Sequence, residues 1–201
     1  ALITEPDLLL LDEPLAALDV STRAQTRRML ARHLQEFGGP RLLITHEPSE
    51  AFLLGDEIHV LEDGRVTQSG SADDVRLRPR TPYVAEVAGA NFFHGQADGG
   101  QVRIGSHRLL VADQVEGSVI VTIRPSAISV HLQEPGGSAR NVWRTHVDLI
   151  EPLGERVRLR TGSPLELTVE ITAAAASELQ LRQASEIWVA IKATEIGVTP
   201  E

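Results

Sequence analysis

Two adjacent carboxylates, Asp12 and Glu13, end the most apolar run of the chain, the stretch LLLLDEP. Such a run alone is typical of a buried strand, and acids that follow a strand commonly begin a solvated loop. In open α/β sheets, ligands bind beyond the carboxyl ends of the strands. One carboxylate at that edge can hold magnesium through water, and a second can polarise a water for attack on a phosphoryl group. The pair is therefore a candidate phosphate-handling site.

Two further polar residues follow apolar runs in the same region. Asp19 lies in the loop LAALD directly after the first run, and His46 ends a second run in RLLITHE. Taken singly, Asp19 is typical of a helix N-cap, and a lone histidine at a strand end is more often structural than catalytic. Together with the two acids, these residues form a pattern suited to phosphate chemistry.

The residues around these groups alternate between strand and helix patterns. After the leucine run, the sequence predicts a helix over roughly residues 20–37, a second strand through LLIT and a short helix opened by Pro48. The stretch DEIHVLEDGRVTQSG predicts a β-hairpin with its turn at Asp63 and Gly64. Two short helices complete an α/β domain that we place at residues 1–89.

The remaining residues, 90–201, change character to short β-type runs separated by glycine and proline turns. This spacing favours a barrel or a sandwich. The stretches VTIRPSAISV (121–130) and VAIKATEIGV (189–198) also align with each other, and the alignment pairs Arg124 with Lys192. The repeat predicts two related small barrels.

Composition excludes several classes of protein. The 201 residues carry 28 acidic side chains against 19 lysines and arginines, a formal net charge of −9. This balance argues against a nucleic-acid partner and against a polybasic membrane-surface protein. With no cysteine, disulfides and thiolate metal sites are excluded. No apolar run approaches the roughly 20 residues that span a bilayer, and the histidines are not at zinc-type spacing.

The stretch LLLLDEPLAALD, followed at this distance by LLITHEPSEA and LEDGRVTQSG, resembles the C-terminal half of an ATP-binding cassette (ABC) ATPase. The resemblance implies a partial P-loop NTPase sheet with helices over residues 1–89. It implies that Asp12 holds the Mg²⁺ of ATP through water and that Glu13 is the base that orients the attacking water. Asp19 would belong to the D-loop that couples two ATPase subunits, and His46 would be the switch histidine that contacts the γ-phosphate.

Other parts of the ABC pattern do not occur in the sequence. There is no P-loop of the form GxxxxGK[ST], no glutamine loop and no LSGGQ-type signature. In this fold the P-loop backbone and lysine supply most of the phosphate binding. We therefore expect the chain to be the C-terminal portion of a longer ATPase, and to be inactive alone.

The second region resembles the TOBE regulatory domain of importer ATPases, an all-β, OB-like double barrel. The order GGSARNVWRTHV, VEIT, AAAASELQL, IWVAIKATEIGV resembles the molybdenum–pterin-binding (Mop) domain of molybdate importer ATPases, with a Mop-like lobe at about 138–199. The resemblance implies contacts to a tetrahedral oxyanion, molybdate or tungstate, held by charge-assisted hydrogen bonds. The implied contact residues are Ser138, Arg140, Asn141, Lys192 and Thr194.

These resemblances imply the ATP-hydrolysing, energy-coupling subunit of an ABC importer for molybdate or tungstate. The implied partners are a second copy of the subunit, membrane permease subunits and, indirectly, a periplasmic or surface substrate-binding protein. The implied location is the cytoplasmic face of a bacterial-type cell membrane. Two alternatives stay open: a non-catalytic oxyanion-binding or dimerisation module, and the ATPase of an importer for sulfate, iron or sugar. In the first alternative the ATPase remnant would be vestigial.

Overall fold

The computed structural model describes residues 6–201, except for the side chains of Val20 and Ser21. The chain divides into two compact units, residues 1–75 and 76–201. None of the helices within the described part of the chain is long and apolar enough to cross a lipid bilayer. The predicted order, an α/β region followed by a region rich in strands, is confirmed.

The first unit contains a parallel pair of strands joined by a helix. Its elements, in chain order, are β1 (Leu9–Asp12), α1 (Val20–Glu36), β2 (Arg41–Ile44), α2 (Pro48–Leu54), β3 (Ile58–Glu62) and β4 (Arg65–Gly70). β1 and β2 pair in parallel, with Asp12 opposite Ile44. Parallel neighbours need a crossover connection, which α1 supplies. The carboxyl ends of the two strands therefore meet at one edge, and the predicted site residues follow that edge.

The hairpin of β3 and β4 follows the site strands and turns where the sequence predicts. Asp63 and Gly64 form the turn, and both have positive φ, 49° and 74°. Positive φ at both central residues is the type I′ pattern, whose twist matches that of the flanking strands.

A short helix, α3 (Ala72–Leu77), runs across the border between the two units. The next helix, α4 (Pro82–Ala88), ends at Gly89 with a left-handed φ of 67°, typical of the residue after a helix. α4 contacts β5 (Asn91–Asp98), the first strand of the second unit. The grouping of residues that contact each other places the border between the two units after Val75. The domain border at Gly89, which follows from a change in sequence character, stays a prediction.

The second unit consists mainly of two five-stranded antiparallel sheets. The first sheet has the order β14-β8-β5-β6-β7 and the second has the order β12-β11-β10-β13-β9. After β5, the elements are β6 (Gln101–Ile104), β7 (His107–Leu110), β8 (Glu116–Ile123), β9 (Ser129–His131), β10 (Asn141–Leu153), β11 (Arg156–Thr161), β12 (Thr168–Thr172), α5 (Ala173–Glu178), β13 (Glu186–Ile191) and β14 (Ile196–Pro200).

The two sheets exchange strands. β9 follows β8 in sequence but pairs with β13, whereas β14 follows β13 but pairs with β8. The chain crosses between the sheets at two 3₁₀ turns, the first crossing turn (Pro125–Ala127) and the second crossing turn (Ala193–Glu195). Each copy of the sequence repeat therefore spans a strand of one sheet, a crossing turn and a strand of the other sheet.

Both sheets contribute to one hydrophobic core. Val102, Leu109 and Ile123 of the first sheet and Leu159 and Ile191 of the second are fully buried in it. Burying one such side chain contributes roughly 1.5–3 kcal/mol. The exchanged strands thus join two sheets that share their apolar interior.

Candidate functional site

Glu13 stands at the end of β1 in an uncommon backbone conformation, with φ of 45°. A left-handed backbone costs a residue with a side chain roughly 1–2 kcal/mol. The Glu13 N–H donates to the Ile44 carbonyl at 2.9 Å, which extends the pairing with β2 by one residue. Its Oε1 accepts from the backbone N–H of His46 at 3.0 Å, and it lies 2.7 Å from the His46 Nδ1. The conformation thus directs the carboxylate to the residues that follow β2.

His46 is fixed to Glu13 through one ring nitrogen. Because an ionised carboxylate only accepts hydrogen bonds, the His46 Nδ1 carries a hydrogen and its Nε2 remains for another partner. The hydrogen bond to Glu13, and then the negative charge of Glu13, raise the pKa of His46 above its usual 6.5. The imidazole side chain is 71% exposed. It can therefore hold a proton at an exposed strand edge and present Nε2 to an anion.

Asp12 ends β1 directly before Glu13, and its side chain is exposed. Exposed carboxylate oxygens are the ligands that magnesium accepts, either directly or through water. Asp12 therefore fits the predicted role of holding a magnesium ion.

Asp19 is the N-cap of α1, since its Oδ2 accepts from the Thr22 N–H at 3.1 Å. This contact starts the helix that joins β1 to β2 and satisfies one of its free N–H groups. The N-cap assignment that the sequence suggested for Asp19 alone is therefore correct. Its predicted role in coupling two subunits stays a prediction.

Arg23 is a site residue that the sequence reasoning missed. Its Nη1 donates to Glu47 Oε1 at 3.1 Å, and its Nη2 donates to the carbonyls of Leu18 at 3.0 Å and Ala16 at 3.5 Å. Arg23 thereby connects the loop after β1 with the residue after His46. Side chains in a helix tilt towards its N-terminus. The presence of an arginine one turn after the N-cap Asp19 was therefore the sequence feature from which this contact could have been predicted.

The segment around His46 is held by a second group of hydrogen bonds. The Thr45 hydroxyl donates to Glu50 Oε2 at 2.9 Å and accepts from the Glu47 N–H at 3.1 Å. Glu50 is only 1% exposed. A buried carboxylate needs hydrogen-bond donors, and Thr45 supplies one. His46 is therefore flanked by anchored residues on both sides.

The oxyanion candidates of the second unit do not gather in one cavity. Lys192 lines a cavity of about 350 Å³ beside the crossing turns, together with Ala139. Thr194 lines a different cavity, of about 600 Å³. Ser138, Arg140 and Asn141 line neither. Arg140 donates to the Gly137 carbonyl at 3.3 Å.

The Asn141 side chain forms hydrogen bonds with the backbone of two other residues. Its Oδ1 accepts from the Leu110 N–H at 2.7 Å, and its Nδ2 donates to the carbonyls of Leu110 at 2.8 Å and Ile191 at 3.4 Å. It is 4% exposed. Both hydrogens of its side-chain amide are committed to backbone, so this amide has no N–H left for an anion. The oxyanion contact of Asn141 stays a prediction, and in this geometry it does not use the side-chain N–H groups.

Sequence reasoning missed several polar residues that accompany Lys192. They are Arg124, Ser126, Ser129 and Glu195. Arg124 pairs with Glu195 at 2.6 Å, which ties the start of the first crossing turn to the second. The signal for Arg124 was present, because the sequence repeat aligns it with Lys192. The cavity thus combines two cations, two hydroxyls and one carboxylate.

Comparison with protein families matches residues 137–198 to the TOBE domain. The molybdate/tungstate import ATP-binding protein WtpC of Pyrococcus horikoshii is 37% identical over the whole chain, which covers 59% of that protein. The molybdenum import ATP-binding protein ModC of Mycobacterium tuberculosis is 35% identical over the whole chain, which covers 57% of it. The chain thus spans less than two thirds of these relatives. The predicted resemblance to ABC importer ATP-binding proteins is confirmed.

Relatives with other substrates also match. The sulfate/thiosulfate import ATP-binding protein CysA 2 of Shewanella oneidensis is 31% identical over 94% of the chain and 54% of that protein. Among solved structures, the cytoplasmic molybdate-binding protein ModG with molybdate bound aligns with 55% of this chain and 96% of its own. That alignment has a TM-score of 0.48 and 17% identity. A likeness of this size carries no argument about function.

Proposed function

We propose that this chain, a relative of the molybdate and tungstate import ATP-binding proteins with a TOBE domain, is part of the ATP-hydrolysing subunit of an ABC importer. The observation that carries the proposal is the contact between Glu13 and His46. These residues lie 33 positions apart in sequence, yet the Glu13 Oε1 and the His46 Nδ1 are 2.7 Å apart at the edge of the parallel strands. Ligands of open α/β sheets bind beyond this edge.

The proposed roles follow from the donors and acceptors of each side chain. Glu13 accepts a proton from the attacking water at its carboxylate, since Oε2 is not used in the contact with His46. His46 donates or accepts at Nε2 and is held in place by Glu13. Asp12 would hold magnesium through water. Bound magnesium ATP would supply the phosphoryl group and the metal charge, and the His46 Nε2–H would donate to the phosphoryl oxygens.

The exposed apolar side chains of the β1–β2 pair support a larger ATPase domain. Leu10, Leu42 and Ile44 are 65%, 51% and 55% exposed. Parallel strands are normally covered on both faces. We propose that further elements of the complete subunit, including its P-loop, cover these side chains and supply the phosphate cradle.

For the second unit we propose binding of molybdate or tungstate in the Lys192 cavity. The support is a cavity with two cations, Lys192 and Arg124, and the hydroxyl of Ser126. Charge-assisted hydrogen bonds from such groups hold dianions. The other contacts that the family resemblance implies lie outside this cavity and form the alternative site: Ser138, Arg140, Asn141 and Thr194. The similarity to sulfate importers makes sulfate the competing substrate.

In the complete importer we propose two copies of the subunit working together, joined to membrane permease subunits at the cytoplasmic face of the membrane. A separate substrate-binding protein would deliver the anion to the permease. Asp19 would contribute to the coupling between the two ATPase copies.

The test is Glu13→Gln in the complete subunit, with ATP hydrolysis and ATP binding measured separately. Loss of a general base typically lowers the rate by about 10²–10⁴-fold, and we expect ATP binding to be retained. Glu57→Gln, a change at an exposed carboxylate of the same unit, serves as the control and should hydrolyse ATP normally. Undiminished hydrolysis in Glu13→Gln would overturn the assignment of Glu13 as the base, whereas a complete subunit that neither binds nor hydrolyses ATP would favour the non-catalytic binding module.

A further inference from the structure

The second unit holds a second, larger cavity that the proposed function does not use. Its volume is about 600 Å³, and all of its lining residues belong to the second unit. The walls come from β14, the end of β8, the second crossing turn and residues 76–80. A water molecule occupies about 30 Å³ of liquid. The space therefore exceeds what a single four-oxygen anion would fill.

Positive charge is concentrated around this cavity, although the whole chain has a formal net charge of −9. Two carboxylates, Asp113 and Glu195, also line it. A guanidinium presents five N–H donors in a planar fork that matches phosphate oxygens. Arg124 and Glu195, which form an ion pair at 2.6 Å, also line the Lys192 cavity. Four guanidinium groups line the larger cavity: Arg76, Arg78, Arg80 and Arg124.

The two cavities are counterparts under the internal repeat of the fold. The repeat aligns Lys192 with Arg124 and Thr194 with Ser126. Lys192 and Ser126 line the smaller cavity, and their counterparts Arg124 and Thr194 line the larger one. Arg124 also lines the smaller cavity. The larger cavity thus repeats the plan of the Lys192 cavity, a cation before one crossing turn and a hydroxyl on the other, and adds three arginines from a separate segment.

The hydroxyl of a largely buried threonine is available to the larger cavity. Thr122 lines the cavity and is 8% exposed, and none of the described residues hydrogen bonds to its hydroxyl. It lies opposite Gly197 in the pairing of β8 with β14. A Cβ at Gly197 would come within 2.6 Å of the Thr122 Oγ1. Glycine at this position therefore leaves the hydroxyl room, and the hydroxyl remains able to hydrogen bond to a ligand in the cavity.

We propose that the larger cavity binds a polyanion that carries two or three linked phosphates. The arginines supply the charge, the Thr122 hydroxyl supplies a hydrogen-bond partner, and the volume accommodates more than one phosphate. Recognition by several guanidinium groups selects for a linked phosphate chain over a single tetrahedral dianion, because each added phosphate pairs with a further fork. This site shares Arg124 and Glu195 with the Lys192 cavity, its other lining residues are different, and it does not depend on the proposed hydrolysis.

The test is calorimetric titration of the full chain with inorganic tripolyphosphate, with thermal unfolding of each variant recorded alongside. Arg78→Ala combined with Arg80→Ala is expected to weaken binding by about tenfold or more, since each charge-assisted contact contributes on this scale. Arg108→Ala, which removes an exposed arginine of β7 that lines neither cavity, should leave the affinity within about twofold.

Arg78 and Arg80 also interact within the protein, so a second variant protects the test against loss of folding. Thr122→Val keeps the shape and charge of the site but removes the hydroxyl, and should weaken tripolyphosphate binding by about fivefold. Absence of binding to the unmodified chain would overturn the proposal. So would an equal loss in Arg108→Ala, or unchanged affinity in both Arg78→Ala/Arg80→Ala and Thr122→Val.

Two further titrations identify the source of the phosphates and separate the two cavities. ATP that binds more tightly than tripolyphosphate, with the same dependence on Arg78 and Arg80, would assign the site to a nucleotide. Weaker ATP binding would assign it to an inorganic polyphosphate. Because Arg124 and Glu195 line both cavities, saturating molybdate should weaken tripolyphosphate binding only in part. Complete displacement of tripolyphosphate by molybdate would overturn a separate site.

Discussion

Asn91 and Asn141 hold the two sheets of the second unit together by equivalent contacts made in opposite directions. Asn91 begins β5 of the first sheet, donates to the Thr168 carbonyl of the second sheet at 2.8 Å and accepts from the Thr168 N–H at 2.6 Å. Asn141 begins β10 of the second sheet and makes the same pair of bonds with Leu110 of the first. Each amide also donates to the last residue of the neighbouring strand, Ile123 or Ile191.

The first prediction concerns the stability that these amides provide. Asn91→Ala leaves the N–H and carbonyl of Thr168 without the Asn91 amide, and unsatisfied buried backbone groups each cost about 1–3 kcal/mol. We expect the free energy of unfolding to fall by roughly 2–4 kcal/mol. Urea unfolding followed by tryptophan fluorescence measures it, since both tryptophans, Trp143 and Trp188, lie in the second unit. Gln133→Ala, at an exposed loop position, is the control. Equal loss in both variants would contradict the proposed contact.

Local features of the fold could be predicted from the sequence. The leucine run, the helix capped by Asp19 and the turn at Asp63 and Gly64 are each set by neighbouring residues, and the structure contains them as expected. The meeting of Glu13 with His46 also follows, because parallel strands end at the same edge.

The exchange of β9 and β14 between sheets could not be predicted in the same way. Strand pairing joins residues far apart in sequence, and alternation of side chains does not specify the partner strand. The repeat was therefore interpreted as one copy in each barrel, although each copy crosses between sheets. The same limit explains why the structural contacts of Asn141 were not predicted, because its partner Leu110 lies 31 residues away in sequence. An asparagine before a strand carries no sign of such a partner.

A second prediction concerns the link that Arg23 makes between the loop after β1 and the segment after His46. Arg23→Ala removes the donors to Leu18 and Ala16 as well as the ion pair with Glu47. We expect faster amide hydrogen exchange in residues 16–19, measured by mass spectrometry, because their carbonyls lose their anchor.

Glu47→Gln is the matched variant for this prediction. It removes the charge of the partner but keeps the bonds from Arg23 to the loop carbonyls. A partly exposed ion pair contributes at most about 1 kcal/mol, so exchange in residues 16–19 should change much less than in Arg23→Ala. The hairpin of β3 and β4 should exchange as before in both. Similar effects of the two variants would show that the ion pair, and not the carbonyl contacts, fixes the loop.

A third prediction separates the two sets of residues assigned to the oxyanion. Lys192 is the only lysine of the chain and lines the smaller cavity, whereas Arg140 lines neither. Lys192→Ala should weaken molybdate binding, measured by calorimetry, by about tenfold, the effect of losing one charge-assisted hydrogen bond. Arg140→Ala should bind molybdate as the unmodified chain does.

The same lysine supplies an independent measurement. Amine-reactive labelling modifies one side chain, at Lys192, besides the chain terminus. Bound molybdate should slow labelling of Lys192, and sulfate at equal concentration measures the competing substrate. A larger loss of affinity in Arg140→Ala than in Lys192→Ala would instead assign the anion to the segment of Ser138, Arg140 and Asn141. Unprotected Lys192 at saturating molybdate would place the anion elsewhere.

The last prediction concerns the dependence of stability on pH. Burial lowers the pKa of His107 below 6.5, and its Nε2 has no hydrogen-bond partner among the described residues. Its ring lies 4.6 Å from that of Trp143. No hydrogen-bond acceptor among the described residues therefore stabilises a proton on the His107 Nε2 in the folded chain.

Because the folded chain resists protonation of His107, the unfolded chain takes up the proton first as the pH falls. The contribution of His107 to stability should be constant above about pH 6.5 and should decline as the pH falls from 6.5 towards its lowered pKa. His107→Gln removes this group, so the variant should lose less stability than the unmodified chain between pH 7.5 and 5.5 in urea unfolding followed by tryptophan fluorescence. His131→Gln, at a partly exposed histidine bonded to Ser129, controls for general effects of acid. Parallel pH profiles for the unmodified chain and His107→Gln would mean that the buried ring does not set the acid sensitivity of the second unit.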